Sequence, residues 1–471
     1  MALSHLIEEE RKKKDIKLYT RQEVKRLAIE KKQIIVIFKD KVLNLTKWLP
    51  YHPGGNLPLE HLSGQDATDH ILAFHPEDVI RERLPKLICG FLVKDEEFAI
   101  SKASLAWRKL NLKLEEDGYY KTNYNFYLRE FIKFFFLFFS IWYICTRPDQ
   151  SFFNYMVAAL LTATLWHQGA FVAHDAGHSG ITHDKQIDTL VGMFLGNIVG
   201  GVSIGWWKAT HNVHHIVTNH VEHDCDIQHL PFIACSTKFF KNVYSSFHKR
   251  VIEFQNSPIA QFFVPIQHYT FYIVLLFGRF NLYAQSFIYL ISGLYSKQAM
   301  HTWDKYELAC LGIFWTWYSL LLSNLPDKTT IVSFILLSHG LAFLLHVQII
   351  ISHFGLPCDD QPLVSIESDN PLKDFCVRNL SGTMDVDCPQ WMDWVHGGLQ
   401  FQTTHHLFPR LPRHNLRAVR ELAMKFAKEN DLTYHHYQFI KANGVVLGKL
   451  QEVAQQVKYY THVAANLENH H

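Results

Sequence analysis

Three histidine clusters in this chain share one geometry. His174 and His178 in HDAGH stand at i and i+4; His211, His214 and His215 in HNVHH stand at i, i+3 and i+4; Gln402, His405 and His406 in QTTHH repeat that spacing. On an α-helix these positions lie on one face. Seven imidazoles and one amide oxygen exceed the roughly four to six ligands one ion accepts, so the clusters imply two ions. Nitrogen donors alone leave iron, copper, zinc and nickel open. A lone histidine is more often a hydrogen-bonded core residue; three clusters of one spacing, each near an apolar stretch, call for a chemical role. His353, in IIISHFG, is a candidate further ligand. His339 and His346 receive no role. His220, His223 and His229 read as supporting or surface residues, and Asp224 and Asp226 could orient ligand imidazoles through their other ring N–H.

The elements that carry these clusters are long and apolar. Uncharged runs cover 134–146, 151–173, 189–207, 254–278, 280–296, 308–326 and 329–358. A membrane span needs about 20 apolar residues. The mean hydropathy of −0.05 hides this, because it averages the runs with a charge-rich first third. We expect four transmembrane helices, at about 129–147, 151–173, 306–324 and 329–351. The run 189–207 must not cross, or HNVHH and HDAGH would face opposite sides of the membrane and share no site. Its five glycines suit a buried or re-entrant segment. The region 254–296, with Pro258, Pro265, Gln267, His268 and Arg279, reads as interfacial. The 46 Lys+Arg against 44 Asp+Glu, a net charge of +2, give no basic field for nucleic acid. Eight cysteines without a CxxC pair indicate neither a zinc finger nor a disulfide scaffold, and are expected as reduced thiols. The N-terminal MALSHLIEEERKKKD lacks an apolar core, so no cleavable signal peptide is expected and the N-terminus should stay cytosolic.

Residues 17–97 are a different material, polar and without long apolar runs. IIVIF (34–38) and VLNL (42–45) around Lys39-Asp40-Lys41 read as strand, turn, strand. Trp48-Leu49-Pro50-Tyr51-His52-Pro53-Gly54-Gly55 precedes GQDAT (64–68), and His75 follows His52 by 23 residues. Two neutral imidazoles at an apolar crevice would give a six-coordinate haem iron suited to electron transfer. With FHP (74–76) and LPKLICGFLV, the segment resembles cytochrome b5 over roughly 17–95. That resemblance implies His52 and His75 as haem ligands, with His61 and His70 as alternatives for the second.

A fused haem donor favours iron in the histidine clusters, since a dinuclear iron centre consumes electrons to activate O2. From Tyr19 to about Leu432 the chain resembles membrane front-end desaturases with a fused cytochrome b5 domain. Gln402, where most membrane desaturases begin the third cluster with His, marks that subgroup. WWKATHNVHHIVTNHVEHDCDIQHLPF and MDVDCPQWMDWVHGGLQFQTTHHLFPRLPRHNLR look closest to fungal Δ8-sphingolipid desaturases. Cys225 departs from the usual Pro, and Thr403-Thr404 is a variable pair.

The resemblance implies a mainly α membrane protein with four transmembrane helices, a cytosolic histidine-box helical cap and an N-terminal α+β cytochrome b5-like domain. The expected organisation is a tail at 1–16, the haem domain at 17–97, a linker at 98–126, the membrane desaturase domain at 127–440 and a C-terminal tail at 441–471. Expected cofactors are haem b on His52 and His75 and two non-haem irons on His174, His178, His211, His214, His215, His353, Gln402, His405 and His406. Gln402 would donate weakly or through water. O2 is the co-substrate, and NADH supplies electrons through a cytochrome b5 reductase. The expected product is a Δ8 double bond in the long-chain base of ceramide. The rivals are a Δ6 or Δ5 acyl front-end desaturase and a cytochrome b5-fused hydroxylase, against which Gln402 argues. The expected location is the endoplasmic reticulum membrane, multi-pass, with both termini and the active site cytosolic. Trp206, Trp207, Trp391 and Trp394 are candidate walls of a lipid channel or interfacial anchors.

Overall fold

The structure is a computed structural model that describes residues 17–93, 100–295, 303–366, 372 and 374–468. The fold is mainly helical, and the chain divides into two compact units. The first holds the described residues up to Asn111 together with Gln361–Arg378; the second holds Leu112–Asp360 and the chain from Asn379 on.

The first unit is built on a four-stranded sheet. Ile35–Phe38 and Lys41–Asn44 pair antiparallel around a turn at Lys39 (φ 58°), as the apolar runs predict. Ile88–Leu92 adds antiparallel to Lys41–Asn44 and parallel to Leu18–Tyr19. The helix Arg21–Lys31 starts with a reciprocal cap: the Glu23 N–H donates to Thr20 Oγ1 (3.1 Å) and the Thr20 N–H to Glu23 Oε2 (2.7 Å). The charged run read as a linker is in large part a helix, Lys102–Glu116, whose first residues belong to this unit. Trp107 is fully buried against Phe375, and Arg108 and Ser104 both donate to buried Asp69. Trp107 and Arg108 stand three and four residues after Ser104, which gives that helix one packed face that a count of charges does not reveal.

In the second unit, Tyr124–Thr146 and Phe152–Gly177 form a helical hairpin turning at Asp149 (φ 61°). Asp304–Ser323 and Lys328–Leu341, the latter continued by Phe343–Ile351, form another. Among the described residues, three helices are long and apolar enough to cross a membrane: Phe152–Gly177, Pro258–Leu276 and Lys328–Ile351. The second lies inside the region expected to be interfacial, because its prolines fall at Pro258, a helix start, and at Pro265, a short break between helical segments.

The run 189–207 is bent by 116° between Lys185–Val199 and Ile204–Ile216. Such a turn exposes main-chain groups that an apolar surrounding cannot satisfy, so side chains must. On the incoming side, Trp317 Nε1 donates to Ile198 O (2.7 Å), Trp166 Nε1 to Val199 O (2.9 Å) and Arg279 Nη2 to Gly200 O. On the outgoing side, Ser203 N donates to Ser286 Oγ (2.9 Å), Ile204 N to Asn197 Oδ1 (3.1 Å) and Gly205 N to Glu307 Oε2 (3.0 Å). A cation thus meets the carbonyl end of one helix and an anion the amide end of the next, as the helix dipoles favour.

The chain expected as a C-terminal tail is a 30-residue helix, Phe439–Glu468. Ala442, Val446, Leu450, Val453 and Val457 recur at helical spacing and are buried in a core with Val221, Phe239, Phe271 and Phe354. That stripe at helical spacing marks a packed helix.

Candidate metal centre

The last turn of Phe152–Gly177 carries His174 and is capped by His178, while the end of Ile204–Ile216 carries His211, His214 and His215. The six-residue helix Gln402–Leu407 carries Gln402, His405 and His406, and His353 follows Phe343–Ile351. These elements bring the predicted residues into two groups. Ring nitrogens of His174, His178, His211 and His405 lie within 4.8 Å of one another, and so do those of His214, His353 and His406. His215 stands between the groups, stacked on His406 at 4.0 Å between ring centroids and with Nε2 3.0 Å from His211 Nε2.

The ring atoms that face inward fit metal ions. Nitrogens on opposite sides of one ion sit about 4 Å apart at ~2.0–2.1 Å per bond, close to the spacing here. Nε2 of His174, His178, His405 and His406 are buried and have no hydrogen-bond partner, an arrangement that is costly unless a ligand supplies one. Burial, followed by the neighbouring imidazoles, holds His405 and His406 well below the ordinary imidazole range, so both are neutral donors. Gln402 is buried, with its Oε1 unpartnered and its Nε2 3.3 Å from His353 Nε2. Since the two ends of an amide are interchangeable by a flip, its oxygen can face the second group.

The outward ring nitrogens explain the orientation. His214 Nδ1 donates to Asp224 Oδ2 (2.8 Å), His353 Nδ1 to Gly382 O (3.0 Å) and His406 Nδ1 to Asn379 Oδ1 (2.9 Å); His211 Nδ1 lies 3.5 Å from Asp226 Oδ2. Each contact fixes the tautomer that leaves Nε2 for a metal. Asp224 and Asp226 stand where the sequence expected them. Asn379 and Gly382 carry no such signal, because nothing in the spacing of RNLSG relates them to His406 or His353. Asp385 was also missed: its carboxylate accepts the Thr403 N–H (2.8 Å), steadying the first turn of the third cluster, and burial pushes it up to about 6.

Among the four tryptophans, Trp207 stacks on His211 at 4.4 Å and meets His174 and His178 edge-on. Gly177 makes room for it, since a Cβ there would lie 2.0 Å from the indole. Trp391 and Trp394 are 69% and 60% exposed, as an interfacial anchor would be. A narrow crevice between Gly397–Gly398 and Arg413 reaches His174, His178 and His405.

In the first unit, His52 and His75 face each other with ring centroids 6.2 Å apart. An iron between two Nε2 atoms at ~2 Å each places the centroids roughly 6 Å apart, so the pair fits a bis-imidazole haem. Nδ1 of His52 donates to Gly55 O (2.8 Å) and Nδ1 of His75 to Ile71 O (3.2 Å), turning both Nε2 atoms inward. Gly54 is required, because a Cβ there would approach the His52 ring to 2.9 Å, and Gly55 has a φ of +88°. Of the two alternatives, His70 is buried against Phe375 (5.0 Å), and His61 is buried on the helix Leu57–Leu62.

Comparison with known proteins agrees with this division. Residues 151–438 match the fatty acid desaturase family, and residues 20–93 match the cytochrome b5-like haem/steroid binding domain. A Delta 8-(E)-sphingolipid desaturase of Komagataella phaffii is 36% identical, over 93% of this chain and 94% of its own. The Candida albicans protein of the same name is 30% identical, over 97% and 99%. A Delta(8)-fatty-acid desaturase of Helianthus annuus is 37% identical, over 90% and 89%. The chain therefore belongs to the fatty acid desaturase family and carries a fused cytochrome b5-like domain.

Proposed function

We propose that this protein is a Δ8-(E)-sphingolipid desaturase that places a trans double bond in the long-chain base of ceramide. The observation that carries this reading is near full-length similarity to yeast enzymes of that name, combined with two groups of inward-facing imidazoles suited to two irons. The overall reaction converts two adjacent methylenes, O2, two electrons and two protons into a double bond and two waters. Bound iron would supply the O2 activation and hydrogen removal, and haem the one-electron delivery.

The chain's own residues have definable tasks in that chemistry. His174, His178, His211 and His405 would hold one ion; His214, His353, His406 and Gln402 the other; His215 is within reach of both. Asp224, Asp226, Asn379 and the Gly382 carbonyl hold the rings in the tautomer that ligates. Trp207 covers the His211 face and excludes water from it. His52 and His75 would hold the haem. The methylenes carry no polar handle, so the position of the double bond must come from seating the headgroup and measuring along the chain. Electrons would come from NADH through a separate cytochrome b5 reductase. The enzyme would be a multi-pass protein of the endoplasmic reticulum membrane with its termini and iron centre on the cytosolic side, where a soluble reductant can reach the haem.

A second reading, desaturation of a fatty acyl chain, is favoured by the plant relative, at 37% against 36% identity. Expression in a host lacking both activities, followed by analysis of long-chain bases and fatty acids, separates them. Δ8-trans long-chain bases are the expected product; new unsaturation confined to acyl chains would overturn the sphingolipid reading.

A further inference from the structure

Outside the metal centre, the described residues of the second unit hold one pair of thiols in contact. Cys235 Sγ and Cys358 Sγ are 3.8 Å apart, although 123 residues separate them. Cys235 is buried and Cys358 half-buried, so an oxidant meets Cys358 first. We propose that these two cysteines form a reversible disulfide that slows desaturation.

The step balances with hydrogen peroxide as oxidant. Peroxide oxidises the Cys358 thiol to a sulfenic acid with release of one water; the Cys235 sulfur then attacks that sulfur, the S–S bond forms and a second water leaves. Only the source of peroxide rests on the proposed function, since incomplete O2 reduction at an iron centre releases it. The cross-link itself depends on the geometry alone.

The surroundings say which side must move. An S–S bond is about 2.05 Å, so the sulfurs must approach by more than an ångström. Cys235 follows Ala234, whose N–H donates to Gln267 Oε1 (2.8 Å) and whose carbonyl accepts from Gln267 Nε2 (3.0 Å), and Gln267 is fully buried. That side is fixed, and the shift falls on the Cys358 segment. This segment is stitched to Asn219: Asn219 Nδ2 donates to Pro357 O (3.3 Å) and to His353 O (3.2 Å), and Asp359 N donates to Asn219 O (2.9 Å). The Asn219 N–H in turn donates to Asp224 Oδ2 (2.8 Å), the carboxylate that orients His214. Drawing Cys358 inward therefore pulls on the supports of two histidines of the second group.

The test uses the full-length holoenzyme in detergent or nanodiscs. After peroxide treatment and alkylation of remaining thiols, unreduced peptides are mapped by mass spectrometry and turnover is measured in parallel. The expected result is a peptide pair joined through Cys235 and Cys358, with turnover reduced at least tenfold and restored by dithiothreitol. Cys358→Ser and Cys235→Ala should keep their untreated turnover and resist peroxide. Three results would each overturn the proposal: no linked peptide when other exposed thiols are oxidised, a linked peptide with unchanged turnover, or equal inactivation of Cys358→Ser. An enzyme with a different lipid substrate would still form the cross-link, so failure of the functional reading is distinguishable.

Discussion

His52 and His75 lie 23 residues apart in sequence, and each ring is oriented by a main-chain carbonyl no more than four residues away. The imidazoles of the metal centre come from four segments spread between His174 and His406; His211, His214 and His406 lie against the side chains of Asp226, Asp224 and Asn379, and His353 against the Gly382 carbonyl 29 residues away. A carbonyl survives any substitution of its own residue, whereas a carboxylate or amide is lost with one. The haem pair is thus protected by local backbone, and the buried centre is exposed to mutation at many distant positions.

The largest effects should separate the two sites. His406→Ala is expected to remove desaturation to background and lower non-haem iron while leaving the haem spectrum intact. His52→Ala should do the reverse to the spectrum, abolishing reduced-minus-oxidised haem absorbance while non-haem iron stays near two per chain. Parallel iron analysis and spectroscopy on both variants would break the comparison if either change removed both signals. Gln402→Ala belongs with the first group if its amide serves the second ion; wild-type turnover in that variant would reduce the third cluster to two histidines.

A smaller effect is expected where a side chain only orients a ligand. Asp224→Asn should cost about 10–100-fold in iron affinity or turnover. No substitution at Gly55 can remove the equivalent carbonyl from His52. Gly54→Ala instead presses a methyl toward the ring, and overpacking of this kind costs about 1–3 kcal/mol. Its measure is the affinity for added haem, which should fall while desaturase iron content does not change.

The smallest effect concerns acid stability of the haem unit. Burial, with the Arg378 cation adding to it, drives His70 down to about 3. A histidine held neutral in the fold and ordinary when unfolded contributes stability above pH 6.5, which is lost as pH falls toward 3. His70→Leu should therefore flatten the decline in thermal midpoint between pH 7 and pH 5, followed through haem absorbance. An unchanged slope would assign the acid sensitivity to another group.

How much of this was legible depended on whether the partners were near in sequence. The cluster spacings foretold helical faces because i, i+3 and i+4 constrain a helix directly, and HPGG foretold a tight turn because only glycines tolerate it. Asn379 and Asp385 were invisible, since their partners His406 and Thr403 are reached through tertiary structure. Gln361–Arg378 clusters with the haem unit although it lies within the desaturase sequence, and no composition shift announces that. The stripe from Ala442 to Val457 is legible for the same reason as the clusters, because its spacing is local.

The sharp turn between Lys185–Val199 and Ile204–Ile216 has a kinetic consequence. Six side chains hold its consecutive carbonyls and amides, so swinging the turn aside would strand several main-chain groups in an apolar setting, at a cost on the order of several kcal/mol each. The turn is a fixed floor and cannot serve as a gate. Any motion that paces turnover must therefore lie elsewhere in the chain.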